Sequence, residues 1–291
     1  MKRAMPQTAL RRAIKRTMTL IADSGSTKTD WLLQAEGGYA SPSVFHTQGI
    51  SPIHQSDEQI TSILRDELLP LIGGERLSCV LFYGSGVRSD QEERMVRLLA
   101  LSLTAGHPHI EAHSDLLGAA RALCGTHEGL ACILGTGANS CLYDGRRIVA
   151  NTPPLGYILG DEGSGAVLGA RFLNALYKGR LDSQTKADFE DTMQMSLSDV
   201  ISQVYRRPLA NRWLASLSPF IHDHLADPAV ETIAVDNFSD FIARNVEPYH
   251  RRDLPLQAVG SIAWHYGPQL RKAARKAGYE VGTILRSPLK I

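Results

Sequence analysis

The sequence predicts an α/β protein, and three observations bear on this fold class. Short apolar, β-rich segments alternate with helical patterns through the first half of the chain, as is typical of α/β proteins. The second half is mainly helical from residue 165 to about residue 251, with a short strand at 256–259. No Pro- or Ser-rich linker separates two halves, so if the chain forms two lobes they should share a packed cleft instead of being joined by a tether.

The individual elements follow from local patterns. Apolar runs bounded by Gly or Asp predict strands at 19–22, 79–83, 109–112 and 131–134. Helical periodicity predicts helices at 58–69, 91–101 and 116–123. Prolines are expected to end helices in the second half near Pro208, Pro219 and Pro228. The sequence contains no internal repeat.

Composition excludes several classes of protein. The net charge of +1 argues against a general nucleic-acid binder, and no apolar segment approaches the length of a membrane span. Residues 1–17 carry six Lys or Arg, no acid and no apolar core of a secretory signal. We expect a disordered basic extension there. The four cysteines form no CxxC pair, which favours buried thiols in a reducing compartment and a cytoplasmic location.

The first glycine turn follows a predicted strand. That strand ends at Asp23, and the turn contains Gly25, Ser26, Thr27 and Lys28 before a second strand begins. Backbone amides in such a turn can cradle phosphate oxygens, and Asp23 could hold a hydrated magnesium ion. The alternative is a β-hairpin that needs small residues for its geometry. The turn is not a P-loop, because GxxxxGK[ST] does not occur in the chain.

A second glycine turn, Gly135-Thr136-Gly137, also follows an apolar strand. Glycine at both positions would let the backbone approach an oxyanion closely. Two turns of this kind suit a cleft with one phosphate-binding loop from each lobe. A third connection, Gly260-Ser261, follows the strand at 256–259 and would leave room for a flat nucleoside, although it also fits an ordinary strand-to-helix connection.

Two aspartates are candidates for work on a substrate. Asp115 lies between a predicted strand and a helix, where it could cap the helix or accept the proton of an attacking hydroxyl. Asp161 lies in the segment 160–165, of sequence GDEGSG. It could stabilise the start of the following helix or accept hydrogen bonds from sugar hydroxyls.

Taken in order, these segments resemble the signature of the superfamily of actin, the heat-shock ATPases and the sugar kinases. Within it the chain is similar to the N-acetylglucosamine kinases and their bacterial relatives, a family that also includes the activator ATPases of acyl-CoA dehydratases. Residues 21–31 and 134–140 match its two phosphate motifs, 156–165 its G-x-x-x-GDEGS segment, and 258–262 its adenosine motif. The resemblance implies a two-lobed, ribonuclease H-like fold of the actin and hexokinase type.

The resemblance also implies roles for individual residues. Asp115 would be the catalytic base. ATP and Mg²⁺ would be bound by Asp23 (the metal ligand), Gly25, Ser26, Thr27, Lys28, Thr136, Gly137, Gly260 and Ser261. The sugar would be bound by Ser51, Asn139, Gly156 and Asp161. Where the family usually has Asn in its sugar-contacting loop, this chain has Ser51-Pro52.

The domain division expected from the resemblance has three parts. Residues 1–17 form the basic extension, 18–115 the N-terminal lobe, and 116–267 the C-terminal lobe. A C-terminal helix at 268–291 is expected to close the N-terminal lobe.

The resemblance implies an ATP-dependent kinase that phosphorylates an amino sugar, N-acetylglucosamine at its 6-hydroxyl or N-acetylmuramic acid. Two alternatives stay open. One is an activator ATPase, which would need cysteines for an iron–sulfur cluster, and the other is a sugar or nucleotide sensor without catalysis. We expect ATP and a small sugar as ligands, and neither nucleic acid nor membrane as a partner. A homodimer remains open.

Overall fold

The computed structural model describes residues 17–25, 28–37 and 41–289 of the chain. The expected basic extension lies outside the described residues except for Thr17, and Ser26 and Thr27 of the first glycine turn also lie outside them. The described chain divides into two compact units, an N-terminal unit that ends at Gly118 and a C-terminal unit, Ala119–Pro288. Leu289 is assigned to the N-terminal unit.

The N-terminal unit is built on one five-stranded sheet of order β3-β2-β1-β4-β5. Strands β1 to β3 form an antiparallel meander, and β4 and β5 continue the sheet parallel to β1. The strands are β1 (Thr17–Ser24), β2 (Lys28–Ala35), β3 (Ser43–Gln48), β4 (Arg76–Gly84) and β5 (His109–Ser114). The strands predicted at 19–22, 79–83 and 109–112 are confirmed here, and those predicted at 131–134 and 256–259 are confirmed in the second sheet.

The C-terminal unit repeats this topology. Its sheet has the order β10-β9-β6-β7-β8, with β6 to β8 antiparallel and β9 and β10 parallel to β6. The strands are β6 (Glu128–Leu134), β7 (Ala138–Asp144), β8 (Ile148–Ala150), β9 (Leu256–Val259) and β10 (Val281–Leu285). Read from the meander, each sheet therefore has the same strand order and the same strand directions.

Helices connect and cover these sheets. Those of the N-terminal half are α1 (Asp57–Ser62), α2 (Leu69–Ile72), α3 (Ser89–Ser102) and α4 (Asp115–Cys124), with a π-helical stretch at Ile63–Leu68. Those of the C-terminal unit are α5 (Gly156–Leu159), α6 (Gly165–Tyr177), α7 (Ser183–Met193), α8 (Leu197–Tyr205), α9 (Ala210–Ser216), α10 (Ser218–Asp223), α11 (Pro228–Phe241), α12 (Ser261–His265) and α13 (Gly267–Lys276). A π-helical stretch, Ile242–Val246, and a 3₁₀-helix, Glu247–Tyr249, follow α11.

Each unit has its own hydrophobic core. In the N-terminal unit Trp31 is fully buried and packs near Phe82, with ring centroids 6.0 Å apart, and its indole N–H donates to the Thr47 hydroxyl at 2.9 Å. In the C-terminal unit Phe172 and Phe189 pack at 5.7 Å between centroids within a larger cluster. Burial of such rings contributes to the stability of each core.

The prediction for the C-terminus of the chain is wrong. A helix was expected at 268–291, but the helix α13 ends at Lys276 and is followed by β10. This strand pairs in parallel with β9, so it completes the sheet of the C-terminal unit up to Pro288 instead of closing the N-terminal lobe. The β-branched residues of the strand suit this pairing. The division between the units falls inside α4, three residues after the expected boundary at residue 115.

The helix that follows the GDEGS segment begins with a complete side-chain cap. Ser164 has an extended backbone conformation, and its hydroxyl accepts the Val167 N–H at 3.1 Å. This satisfies one of the free N–H groups at the start of α6. Within the described residues, no helix has the length and apolar character that would let it cross a membrane.

Candidate active site

The first glycine turn connects β1 and β2 as a hairpin. Asp23 pairs with Asp30 and Ser24 with Thr29 across the two strands, and the Gly25 N–H donates to the Lys28 carbonyl at 3.0 Å. The alternative of a β-hairpin therefore describes the local backbone. A hairpin end can still present backbone N–H groups to a phosphate, so the hairpin geometry does not conflict with the prediction of a phosphate-binding turn.

The charges of Asp23 and Asp115 interact within the N-terminal unit. Loss of hydration raises the pKa of Asp23 to about 7, and repulsion by Asp115 and Asp30 adds to this, while Lys28 opposes it. Burial also raises the pKa of Asp115, and the Leu116 N–H, which donates to its Oδ1 at 2.8 Å, opposes the rise. Asp23 is the penultimate residue of β1, and Asp115 directly follows β5. Both strands run parallel to β4, so their carboxyl ends lie at the same edge of the sheet.

This pair suits a cation or a transferable proton. Two carboxylates that repel each other while losing water are stabilised by a positive charge or by one shared proton. Magnesium in phosphoryl-transfer sites is bound through one or two carboxylates together with substrate phosphates, and Asp23 fits that donor set. Among the described residues no group of three or more His, Cys, Asp or Glu could form an all-protein metal site.

Capping of α4 does not depend on the Asp115 side chain alone. The hydroxyl of Ser114 accepts the Leu117 N–H at 3.3 Å, one turn into the helix. Asp115 Oδ1 accepts the N–H of the next residue, Leu116. Ser114 thus supplies the bond that a helix cap normally makes, so α4 can begin without Asp115 acting as that cap.

The loop expected to contact the sugar is anchored to the end of β1. The Ser24 hydroxyl bonds both the N–H and the carbonyl of Ile50, each at 3.0 Å. Ser51 itself is buried, and its N–H donates to Gln55 Oε1 at 2.8 Å. A side chain at Gly86 would lie 3.1 Å from the Ser51 hydroxyl. The structure thus places the loop that contains Ser51 beside the end of β1, within the same unit.

The second glycine turn connects β6 and β7 and docks on the start of α6. The carbonyls of Gly135 and Thr136 accept the N–H groups of Gly165 and Ala166 at 2.8 Å and 3.2 Å. Gly135 also donates to the Gly137 carbonyl at 3.0 Å. The turn is therefore held by backbone bonds, which leaves the exposed side chain of Thr136 free of any structural hydrogen bond to α6.

Gly260 lies directly against this turn. Its φ is +120°, and an added Cβ would lie 2.3 Å from the carbonyl oxygen of Leu134, closer than any side chain tolerates. Only glycine fits this backbone conformation at this distance. The structure therefore brings the predicted adenosine residues Gly260 and Ser261 beside the second phosphate turn, although more than a hundred residues separate them in sequence.

Asp161 lies next to Gly137 of the second turn. It adopts a left-handed backbone conformation, with φ of +56°. Its carboxylate accepts the N–H groups of Ala138 and Gly156, yet loss of hydration outweighs these bonds and raises its pKa to about 6. A Cβ added to Gly137 would lie 3.0 Å from Asp161 Oδ2. Ser164, and not Asp161, provides the side-chain cap of α6. The Asp161 side chain is therefore not needed as the cap of this helix.

Asp161 and Asn139 are thus brought into one region of the C-terminal unit. The carboxylate bonds the N–H of Ala138, the residue that precedes Asn139 on β7. Gly156, the first residue of α5, donates to the same carboxylate. Three of the predicted sugar-binding residues are therefore adjacent, and a strained, partly desolvated carboxylate is characteristic of functional sites.

Some supporting residues could not be identified from the sequence. Asn237 is fully buried on α11; its Oδ1 accepts the Gly163 N–H at 3.1 Å and its amide donates to the Ser164 carbonyl at 3.2 Å. Tyr249 and Asn151 bond the backbone around Asn139. A polar residue within an apolar helical pattern, as at Asn237, was the one signal in the sequence that could have pointed to such a role.

Three of the four cysteines are buried in the C-terminal unit. Cys124, Cys132 and Cys141 are buried and unbridged. Burial raises the pKa of Cys124 to about 11, that of Cys141 to about 12 and that of Cys132 well above its ordinary value. Ligation of an iron–sulfur cluster requires thiolates, and burial disfavours the thiolate form of these three thiols.

Comparison with solved structures identifies proteins that are similar to this chain. A solved structure of a candidate N-acetylglucosamine kinase from Porphyromonas gingivalis is 46% identical to it, covers 94% of this chain and 96% of that chain, and superposes with a TM-score of 0.87. A second candidate N-acetylglucosamine kinase, from Chromobacterium violaceum, is 18% identical over 92% of this chain and 95% of that chain, with a TM-score of 0.70. The second likeness concerns the fold alone.

A homologue of the Escherichia coli MLC protein, a ROK-family transcriptional regulator, has a TM-score of 0.50 at 11% identity over 97% of this chain and 79% of that chain, which again concerns the fold alone. No protein-family model and no curated protein sequence matches the chain. The identity to the Porphyromonas protein extends over almost the full length of both chains. The chain belongs to the N-acetylglucosamine kinase-like family of ATP-dependent sugar kinases, which has the two-lobed α/β fold of the actin and hexokinase type.

Proposed function

We propose that this protein phosphorylates N-acetylglucosamine at its 6-hydroxyl, with ATP as the phosphoryl donor and Mg²⁺ as the metal. The observation that carries this proposal is the 46% identity to a candidate N-acetylglucosamine kinase over 94% of the chain. The arrangement of carboxylates and glycine turns in each unit supports the same reaction. N-acetylmuramic acid is the second sugar to test, because Ser51-Pro52 departs from the family's sugar-contacting loop.

The proposed nucleotide residues come from both glycine turns and from the Gly260 turn. The phosphates are bound by Gly25, Ser26, Thr27, Lys28, Thr136 and Gly137, and the adenosine by Gly260 and Ser261. Asp23 holds the metal ion, which neutralises charge on the transferred phosphoryl group when it is bound. The raised pKa of Asp23 supports this assignment, since a carboxylate that is costly to ionise alone gains most from a cation.

Asp115 acts as the proposed base. The proton of the sugar hydroxyl moves to the Asp115 carboxylate while the hydroxyl oxygen bonds to the γ-phosphorus, and the bond from that phosphorus to the ADP oxygen breaks. Phosphoryl transfer passes through a loose transition state, so positioning of the hydroxyl contributes alongside proton removal. The raised pKa of Asp115 brings its proton affinity closer to that of a working general base.

The proposed sugar residues are Asp161, Asn139, Gly156 and Ser51. Sugar hydroxyls need directional partners, and a carboxylate can accept two of them at once. Asp161 meets this requirement, because two backbone N–H groups fix its orientation and it is only partly buried, so it retains capacity to accept further bonds. Ser51 is the least accessible of the four, and its contribution would be through the shape of the loop.

A coupled ADP-release screen tests the proposal. It would compare N-acetylglucosamine, N-acetylmuramic acid, glucosamine, N-acetylmannosamine and glucose against a reaction without sugar. We expect the highest kcat/KM with N-acetylglucosamine and a phosphorus NMR signal from its 6-phosphate. ADP release that does not depend on sugar would instead favour the activator ATPase, and binding of ligand without any ADP release would favour a sensor.

A further inference from the structure

Tyr249 ends the 3₁₀-helix that follows α11, and its hydroxyl joins two separate segments of the C-terminal unit. The hydroxyl accepts the Thr152 N–H at 2.9 Å and donates to the Ser140 carbonyl at 2.9 Å. It also lies 2.8 Å from the Ser140 hydroxyl. One phenol oxygen therefore fixes the distance between β7 and the loop that leads to α5. Nothing in the proposed reaction uses this residue directly.

Asn245 reinforces the same connection one turn earlier. Its carbonyl accepts the hydroxyls of Ser140 and Thr152 at 2.9 Å and 3.0 Å. Its side-chain amide donates to Glu162 Oε2 at 3.3 Å, next to Asp161. Asn245 is 6% exposed, so these bonds form away from water, where losing a partner is costly. The segment 245–249 thus supports β7 and the Asp161 region together.

Ser140, which Tyr249 and Asn245 hold in place, and Asn151 together determine which way the amide of Asn139 faces. The Ser140 N–H donates to Asn139 Oδ1 at 2.9 Å, and Asn151 Nδ2 donates to the same oxygen at 2.9 Å. Asn151 Nδ2 also donates to the Ser140 carbonyl at 2.7 Å. A backbone N–H can only donate, so the Asn139 oxygen must face it. The Asn139 amide nitrogen, which carries two donors and no acceptor, then faces the other side.

We infer that Tyr249 is a positioning residue. Through Ser140 and Asn151 it holds the N–H₂ group of Asn139 toward the sugar, and this orientation selects substrates that have an acceptor oxygen at that place. Such an oxygen is a ring hydroxyl or the carbonyl of an N-acyl group. This inference rests on the proposed function. Asp161 accepts and Asn139 donates, so the two neighbouring side chains recognise complementary groups of one sugar.

Substitution of the hydroxyl alone tests this role. Tyr249→Phe keeps the ring and removes the bonds to Ser140 and Thr152. We expect the KM for the sugar to rise about three- to tenfold, as for the loss of one hydrogen bond. We expect kcat to change less than about twofold and the KM for ATP to stay unchanged, because the phosphate turns keep their own backbone bonds. Sugar affinity from calorimetry should fall by the same factor as KM rises.

Two further variants define the comparison. Tyr177→Phe is the matched control, because the Tyr177 hydroxyl is buried without a hydrogen-bond partner and its removal should leave every kinetic constant unchanged. Asn139→Asp keeps the shape of the side chain but replaces the two donors by an acceptor. We expect it to raise the sugar KM at least about tenfold and to exceed the effect of Tyr249→Phe, since an acceptor would face the substrate's acceptor oxygen.

The outcomes separate the inference from the proposed function. A sugar KM for Tyr249→Phe within twofold of wild type, or kcat and both KM values changing together with the melting temperature, would overturn the positioning role alone. Retained sugar affinity in Asn139→Asp would overturn the assigned amide direction. A wild-type protein that binds and phosphorylates none of the screened sugars would overturn the proposed function and this inference with it.

Discussion

Asp115 lies between β5 and α4, where a helix cap and a catalytic base would look alike in sequence. The structure separates the two roles in part, because Ser114 bonds the first turn of α4 and burial raises the pKa of the Asp115 carboxyl. A base that interacts with the attacking hydroxyl should be needed for turnover and not for nucleotide binding. Substitution of this carboxylate should therefore distinguish the two roles.

For Asp115→Asn we expect kcat to fall by about two to four orders of magnitude, as for the loss of a general base, with ATP affinity nearly unchanged. Steady-state kinetics and nucleotide titration on one preparation would measure both. Asp227→Asn is the control, since Asp227 caps α11 and has no role in the proposed chemistry. If Asp115→Asn keeps more than half of the wild-type kcat, Asp115 is a helix residue only.

Asp23 should make the stability of the protein depend on pH. Its pKa is raised from 3.8 to about 7 in the folded protein, so the folded state holds its proton more tightly than the unfolded state does. Below about pH 4 this carboxyl is protonated in both the folded and the unfolded state, so it does not lower the stability of the protein. As pH rises from there to about 7 the unfolded state loses the proton first, and the stability of the folded state falls. Asp23→Asn removes this cost and should be more stable than wild type by about 2–4 kcal/mol above pH 7.

Urea unfolding at a series of pH values from 4 to 8 would measure this difference. The two proteins should have equal stability near pH 4 and should diverge upward. Asp90→Asn, on the exposed first turn of α3, is the control for removal of an exposed carboxylate from the same unit. A constant difference between Asp23→Asn and wild type at every pH would contradict the assigned pKa.

At the scale of elements, backbone hydrogen bonds join the turn between β6 and β7 to the first residues of α6. Gly137 and Asp161 are in contact range, and a methyl group on Gly137 would lie 3.0 Å from Asp161 Oδ2. The Asp161 carboxylate is held by two backbone N–H groups, so it cannot move aside without losing one of them. Gly135, two residues earlier, has open space at its Cβ position.

For Gly137→Ala we therefore expect the KM of the sugar to rise about three- to thirtyfold, through displacement of the Asp161 carboxylate and loss of part of its hydrogen bonding. Gly135→Ala, in the same turn, should leave the sugar KM within about twofold, because its added methyl meets nothing. Kinetics of the two variants side by side would measure the contrast. Equal effects of both substitutions would show that the turn responds to any side chain and that Asp161 is not the affected group.

At the scale of the whole molecule, the two units have sheets of the same strand order and directions. The sequence shows no internal repeat, because this topology is defined by backbone hydrogen bonds and by the alternation of buried and exposed positions, which many sequences satisfy. In both units the first two strands enclose a glycine turn, 24–28 in one and 134–138 in the other. The repeated topology explains why two similar turns occur about a hundred residues apart.

The state of the cysteines distinguishes a kinase from an iron–sulfur activator. We expect Ellman's reagent to react with at most one thiol in the native protein, the less buried Cys79, and with all four in urea. The buried thiols have raised pKa values, and a neutral thiol is a poor nucleophile. Cys79→Ser should abolish the native reaction and leave three thiols in urea. Iron at stoichiometric levels in purified protein, lost in Cys132→Ala, would instead support the activator.

The sequence by itself determined the α/β class, the positions of the predicted strands and the glycine turns, because these depend on local periodicity and on residues with special backbone preferences. It also pointed to Asp115, between a predicted strand and a helix, and to Asp161, in the GDEGSG segment. The chain end from residue 268 was predicted wrongly as a single helix. The β-rich segment 281–285 is short, and only its pairing with β9 decides that it is a strand.

Only the tertiary structure decided how the candidate residues are supported. Tyr249 and Asn245 lie more than a hundred positions from Ser140, and no local pattern connects residues at that separation. The raised pKa values of Asp23 and Asp161 likewise depend on lost hydration and on neighbouring charges that folding brings near. Local sequence specifies backbone conformation, whereas desolvation and hydrogen-bond direction arise from contacts between distant segments, and these exist only once the chain has folded.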